Sequence, residues 1–191
     1  MLPDIFLVVA AYLIGSISSA IVVSRLMGLP DPRGQGSGNP GATNVLRLSG
    51  KKPAAITLAG DLLKGLLPVL AAKLLGADLN TQLLVAMAAF LGHLYPIFFG
   101  FRGGKGIATA FGVLLGLDWR VATAVLLVWL AAYKLSKISS VGGLSSAAAM
   151  PAIIWMLGGD TGFVLFGIIL AAFIFWRHRS NITKLIAGTE R

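Results

Sequence analysis

Apolar residues in this chain are gathered into long blocks separated by short polar segments. The blocks run over 4–27, 53–76, 81–100, 107–118, 121–136, 144–157 and 161–177. A soluble core would break such blocks with polar positions. A helix that crosses a bilayer needs about 20 residues, and the first three blocks reach that length. The last four are shorter, and such elements thin the bilayer locally or are sheltered inside the protein. The pattern predicts an all-α integral membrane protein with about seven transmembrane helices, several of them short. Five or six spans is the alternative count. No soluble domain is attached, so residues 1–191 read as a single polytopic membrane domain.

Charge between the blocks orients the set. With seven spans, one side receives Arg25, Arg33, Arg47, Lys51, Lys52, Arg102, Lys105, Lys134, Lys137, Arg177, Arg179, Lys184 and Arg191. The other receives only Lys73 and Arg120, together with Asp4, Asp78, Asp118 and Asp160. This asymmetry follows the positive-inside rule. It predicts an N-terminus outside and a C-terminus in the cytoplasm. The outer loops are too short to carry a site, whereas the inner ones are longer and rich in Gly, Ser, Asn and Thr, so function is expected on the cytoplasmic face.

Composition narrows the chemistry. The chain is 57% hydrophobic and 12% charged, against about 25% charged in soluble domains, and its mean hydropathy is +0.86. The net charge of +9 comes from loop residues flanking apolar blocks. It therefore points to anionic lipid or an anionic substrate and not to nucleic acid. Cysteine is absent, which excludes thiolate catalysis, disulfides and cysteine metal sites. His93 and His178 lie far apart without a metal-ligand spacing, so neither a metal nor another cofactor is expected. The start, Met1-Leu2-Pro3-Asp4, lacks a basic segment and a clear cleavage site, and reads as a retained membrane helix.

The first inner loop is Gly34-Gln-Gly-Ser-Gly-Asn-Pro-Gly-Ala-Thr-Asn-Val-Leu-Arg47. Its glycines allow positive φ and close approach to a ligand, and successive amides in such turns form anion-binding nests. Ser37, Asn39, Thr43 and Asn44 add short polar groups, and Arg47 a guanidinium suited to phosphate. A flexible connector is the plainer alternative. The second inner loop, Phe99-Gly-Phe-Arg102-Gly-Gly-Lys105-Gly-Ile-Ala-Thr109, runs directly into an apolar block. Gly103, Gly104 and Gly106 bracket Lys105 before a helix N-terminus, where free amides and the helix dipole favour an anion. It is not a nucleotide-binding P-loop, because Gly106 follows the lysine where Ser or Thr is required and no strand precedes. The alternative is a glycine turn with an ordinary inner lysine.

Four further features stand out, two of them with two readings each. Asp61 and Lys64 share a helix face inside the second block; they form a structural ion pair, or Lys64 snorkels to the inner site. His93 reads first as an interhelical hydrogen-bonding group. His178 and Asn181, in the basic C-terminal segment, are either part of a lipid-facing tail or a pair of donors aimed at a phosphate. Ser139-Ser140-Val-Gly-Gly143 is expected to form a third inner turn.

Together, G-S-G-N-P-G-A-T-N-V-L-R (36–47), G-H-L-Y-P followed by F-R-G-G-K-G-I-A-T (92–109), and H-R-S-N-I followed by G-T-E (178–190) resemble the three cytoplasmic motifs of the bacterial acyl-phosphate:glycerol-3-phosphate acyltransferases, the PlsY type. Gly15-Ser-Ile17 and Asp61-x-x-Lys64-Gly65 are similar to family positions as well. One position departs: many members carry serine where Gly143 stands. The resemblance covers nearly the whole chain. It implies seven helices and transfer of an acyl group from fatty acyl phosphate to the 1-hydroxyl of sn-glycerol 3-phosphate, giving lysophosphatidic acid and phosphate. The implied catalytic residues are Ser37, Arg47, Lys105, His178 and Asn181. The substrate-binding set expected beside them is Asn39, Thr43, Asn44, Lys64, Gly103, Gly104, Gly106, Thr109 and Ser140, with Glu190 structural. The implied partners are fatty acyl phosphate, glycerol 3-phosphate, membrane lipids and the enzyme that produces the acyl phosphate.

An acyl phosphate is already activated, so aligning two anions and neutralising their charge is the expected task, without a covalent acyl-enzyme. The H-x-x-x-x-D signature of acyl-CoA-dependent enzymes is missing, since Phe98 and Thr183 stand five residues after the histidines. The rival readings are a membrane transporter for an organic phosphate, against which no polar set lines the outer half, and a structural subunit with lipid-binding loops.

Overall fold

The computed structural model describes residues 2–190; Arg191, counted above with the inner basic residues, lies outside them. Among the described residues the regular structure is helical, with no strand. In chain order the helices are α1 (Leu2–Gly15), α2 (Ser19–Leu26), α3 (Ala42–Ser49), α4 (Lys51–Leu74), α5 (Leu79–Leu94), α6 (Ile107–Leu117), α7 (Trp119–Ser136), α8 (Ser139–Met156), α9 (Thr161–Arg177) and α10 (Arg179–Ile186). They fall into two compact units, one ending at Leu117 and one beginning at Asp118.

Every apolar block of the sequence coincides with a helix, but the first is broken. Block 4–27 becomes α1 and α2, bent by 47°. The break strands backbone groups in an apolar environment, where each unsatisfied one is costly. Lys64 answers one of them: its Nζ donates to Ile17 O at 2.8 Å. By length and composition three helices are able to cross a membrane, Lys51–Leu74, Leu79–Phe99 and Trp119–Ser136, and up to five if each bent pair counts as one span. Helix α6, at 11 residues, is a short apolar element.

In the first unit α4 is central, packing on α1, α2, α3, α5 and α6. Glycine permits the tightest of these contacts, because small residues let membrane helices approach backbone to backbone. A Cβ on Gly112 of α6 would strike Leu62 O of α4, and one on Gly92 of α5 would strike Tyr12 O of α1. Tyr12 Oη also donates to Tyr95 O at 2.8 Å. Phe90, Leu94, Val113 and Leu114 are fully buried in this unit.

In the second unit α7 packs on α8, α8 on α9, and α10 on α9. The third inner turn expected over Ser139–Gly143 is instead the first turn of α8. The chain reverses at Lys137, which takes the left-handed conformation at φ 61° and caps α7. Gly142 serves packing: a Cβ there would stand 3.0 Å from Trp129 Nε1 of α7. The aspartates that the charge pattern puts outside have a local task. Asp78, Asp118 and Asp160 are N-caps of α5, α7 and α9, and their carboxylates accept from the amides of Thr81, Arg120 and Phe163, satisfying donors that a helix start leaves open.

Candidate active site

The first glycine segment is shaped, not a loose connector. Gly36 and Gly38 take φ of 59° and 68°, a region that favours glycine. Asn44, 2% exposed, sits beneath them on α3. Its Nδ2 donates to Pro32 O and Gln35 O, and its Oδ1 accepts from the Ser37 amide. Asn44 therefore holds the turn that presents Ser37, which is exposed. Thr43 and Arg47 are exposed on α3, and Asn39 is half-buried just before it.

Upstream, Arg33 forks onto Asp31, with Nη2 2.7 Å from Oδ2, and its Nη1 donates to Phe99 O at 3.2 Å. Arg25 lies over the Phe99 ring, 5.8 Å from its centroid, a cation–π distance. The first glycine segment and the entry to the second are thus tied at Phe99. The hydrogen bond from Arg33, opposed in part by desolvation, holds the Asp31 carboxyl below its ordinary range. This tie was not read from the sequence. Its signal is the spacing Asp31-x-Arg33, which recurs as the Asp118-x-Arg120 fork.

The second glycine segment is pressed onto the end of α5. Gly103, Gly104 and Gly106 are buried and Lys105 is half-buried. The Gly104 amide donates to His93 O at 3.2 Å. A Cβ on Gly103 would strike the carbonyls of His93 and Leu94, one on Gly104 the His93 imidazole, and one on Gly106 the Phe90 ring. Gly106 also has φ 90°. The segment enters α6 at Ile107, so the amides around Lys105 lie at a helix start, where the backbone favours an anion.

Behind this segment is a buried polar cluster. Lys64 Nζ is 2.8 Å from Asp61 Oδ1, and His93 Nδ1 is 3.6 Å from the same oxygen. Thr109 Oγ1 donates to Asp61 O at 2.9 Å. Of the two readings of Asp61 and Lys64, the contacts match the buried ion pair, since Lys64 is 6% exposed and directed at Asp61 and Ile17 O.

The second unit holds the C-terminal candidates. His178 is 3% exposed and caps α9 where the chain bends by 62° into α10. Its Nδ1 lies 2.8 Å from Ile174 O; a carbonyl only accepts, so Nδ1 carries a proton and donates to it. Asn181 Nδ2 and Ser140 Oγ, at 2.9 Å, both donate to Glu190 Oε1. Glu190 thus locks the chain end onto α8 and α10 and fixes the Asn181 amide.

The fold and these segments define a class: an all-helical integral membrane protein whose glycine turns and cations suit bound phosphate. The chain belongs to the glycerol-3-phosphate acyltransferase family, whose model matches residues 5–188. It is 56% identical over 184 residues to the glycerol-3-phosphate acyltransferase of Thioalkalivibrio sulfidiphilus, covering 96% of this chain and 91% of that one. The corresponding protein of Hydrogenovibrio crunogenus is 54% identical, with 96% and 88% covered. Among solved structures it is similar to the crystal structure of PlsY (YgiH), an integral membrane glycerol 3-phosphate acyltransferase, in its glycerol 3-phosphate form. The TM-score is 0.94 at 39% identity, over 99% of this chain and 94% of that one. The lysophosphatidic acid form of PlsY matches with a TM-score of 0.91 at 38% identity.

Proposed function

We propose that this protein transfers the acyl group of a fatty acyl phosphate to the 1-hydroxyl of sn-glycerol 3-phosphate, giving lysophosphatidic acid and inorganic phosphate. The observation that carries the reading is the family match across residues 5–188, which spans the first two motifs whole and the third as far as Gly188. It is supported by a solved relative described with glycerol 3-phosphate and with lysophosphatidic acid. The match runs through both units, in keeping with one functional domain.

In the reaction the hydroxyl oxygen attacks the acyl carbonyl, the new ester C–O bond forms, and the carbonyl carbon's bond to the phosphate oxygen breaks. The hydroxyl proton passes to a phosphate oxygen of a substrate, so no protein base and no acyl-enzyme are required. Arg47 and Lys105 bind phosphate, and the amides of Gly103, Gly104 and Gly106 complete the seat. Ser37 orients a substrate, with Asn39, Thr43 and Asn44 around it. His178 and Asn181 supply hydrogen bonds, and Lys64, Thr109 and Ser140 support the binding segments. The basic residues and these segments face the cytoplasm from the inner membrane. The bilayer supplies the acyl phosphate along an apolar path between helices, and contact with the enzyme that makes it shortens that route.

Purified protein in detergent, given acyl phosphate and glycerol 3-phosphate, is expected to release phosphate and form lysophosphatidic acid. Absence of both with active controls sinks the reading. Isolation of an acylated Ser37 refutes the direct transfer.

A further inference from the structure

The glycine segment that carries Lys105 is held at both ends by one buried cluster, in which Asp61 and His93 have no part in the reaction as proposed. At its start, the Gly104 amide bonds His93 O at 3.2 Å, and the Gly104 Cα lies so close to the His93 ring that a Cβ would collide with Nε2. Just beyond it, on the first turn of α6, Thr109 Oγ1 bonds Asp61 O at 2.9 Å. Asp61 joins the two anchors: its Oδ1 faces His93 Nδ1 at 3.6 Å and holds Lys64 Nζ at 2.8 Å. All four residues are buried, with exposures of 3% for Asp61, 6% for Lys64, 6% for His93 and 0% for Thr109. Lys64 in turn bonds Ile17 O at the α1–α2 break.

A buried ion pair is weak evidence of stability, because apolar residues of similar volume often serve as well or better. The cluster's form points elsewhere. Gly103 and Gly104 admit no side chain against His93, so the segment's height above α5 is set by the imidazole. Asp61 Oδ1 stands 3.6 Å from the other ring nitrogen, Nδ1, so the imidazole lies between Asp61 and Gly104.

We infer that His93, oriented by Asp61, is the positioning residue of the Lys105 glycine segment and acts on phosphate binding through it. The inference rests on the acyl-transfer reading of that segment. It predicts a selective effect on the substrate whose phosphate the segment holds, of the size that partners behind a binding ligand produce.

The test compares His93→Ala, His93→Gln and Thr109→Val with the wild type below their melting temperatures in detergent, varying each substrate in turn. His93→Ala is expected to raise KM for one phosphate substrate by about tenfold or more, leaving the other KM and kcat within about threefold. His93→Gln, which restores a polar side chain of similar reach, is expected to recover most of that loss. Thr109→Val, at the segment's other anchor, should raise the same KM, and an unchanged KM in that variant overturns the proposal where neither His93 variant folds. A wild type without turnover defeats the acyl-transfer reading itself. With an active wild type, lowered melting temperature alone, a kcat loss without a KM change, or no recovery by glutamine overturns the positioning role.

Discussion

Lys105 is the residue at which helix start, glycine turn and charge coincide. Removing a group that stabilises charge in an excluded site commonly lowers turnover by about 100-fold or more. Lys105→Ala is therefore expected to lose at least that much, while its half-buried position leaves melting temperature and detergent extraction near wild type; retained turnover removes the segment from the phosphate site. Asp31 makes a smaller prediction. Its carboxyl is held below the ordinary range chiefly by the Arg33 hydrogen bond. Such a group adds stability above its unfolded value, lost as the pH falls through the folded one. Acidification below about pH 4 should loosen the Asp31–Arg33 anchor, seen as faster amide exchange over residues 33–38, and Asp31→Asn should abolish that pH dependence. The effect is small, since the pair is partly exposed and solvent-screened.

Between elements, backbone proximity is the controlling quantity. The α4–α6 contact places a backbone carbonyl, Leu62 O, where a Cβ of residue 112 would sit. A carbonyl inside a helix has no rotamer with which to move away. Gly112→Val is expected to destabilise the protein by about 1–3 kcal/mol through overpacking, read as a lower melting temperature in detergent. Because α6 opens directly after the Lys105 segment, activity should fall even where the protein stays folded; an unchanged melt would contradict the close packing of α4 on α6. The breaks matter as much as the helices. The α1–α2 bend frees Ile17 O, which Lys64 takes, and the α9–α10 bend falls at His178, so each break is joined to a residue of the candidate site.

For the whole molecule, the charge asymmetry predicts which segments face the cytoplasm. The absence of cysteine allows a direct check with single-cysteine variants in intact cells. Lys137→Cys should resist a membrane-impermeant thiol reagent until the cells are opened, and Asp78→Cys should react at once; the reverse pattern would invert the orientation. Much of the design was legible in the chain itself. Apolar blocks located the membrane helices because lipid leaves no polar face to confuse the pattern, and the glycine motifs marked the tightly turned, closely packed segments because few residues tolerate positive φ or such close approach. Other features depended on distant parts of the chain meeting. The tie of Arg33 to Phe99 O crosses 66 positions, that of Lys64 to Ile17 O crosses 47, and that of Ser140 to Glu190 crosses 50. No local pattern encodes such partners, so Asn44 as a scaffold for Ser37 and His93 as a seat for Gly104 emerged only from the tertiary structure. The sequence determined the helices, their solvent and the kinds of polar and charged group placed between them. Packing decided which of those groups stay exposed and which are buried to hold the others in place, since in an apolar interior a buried polar atom must find its partner wherever the chain has carried it.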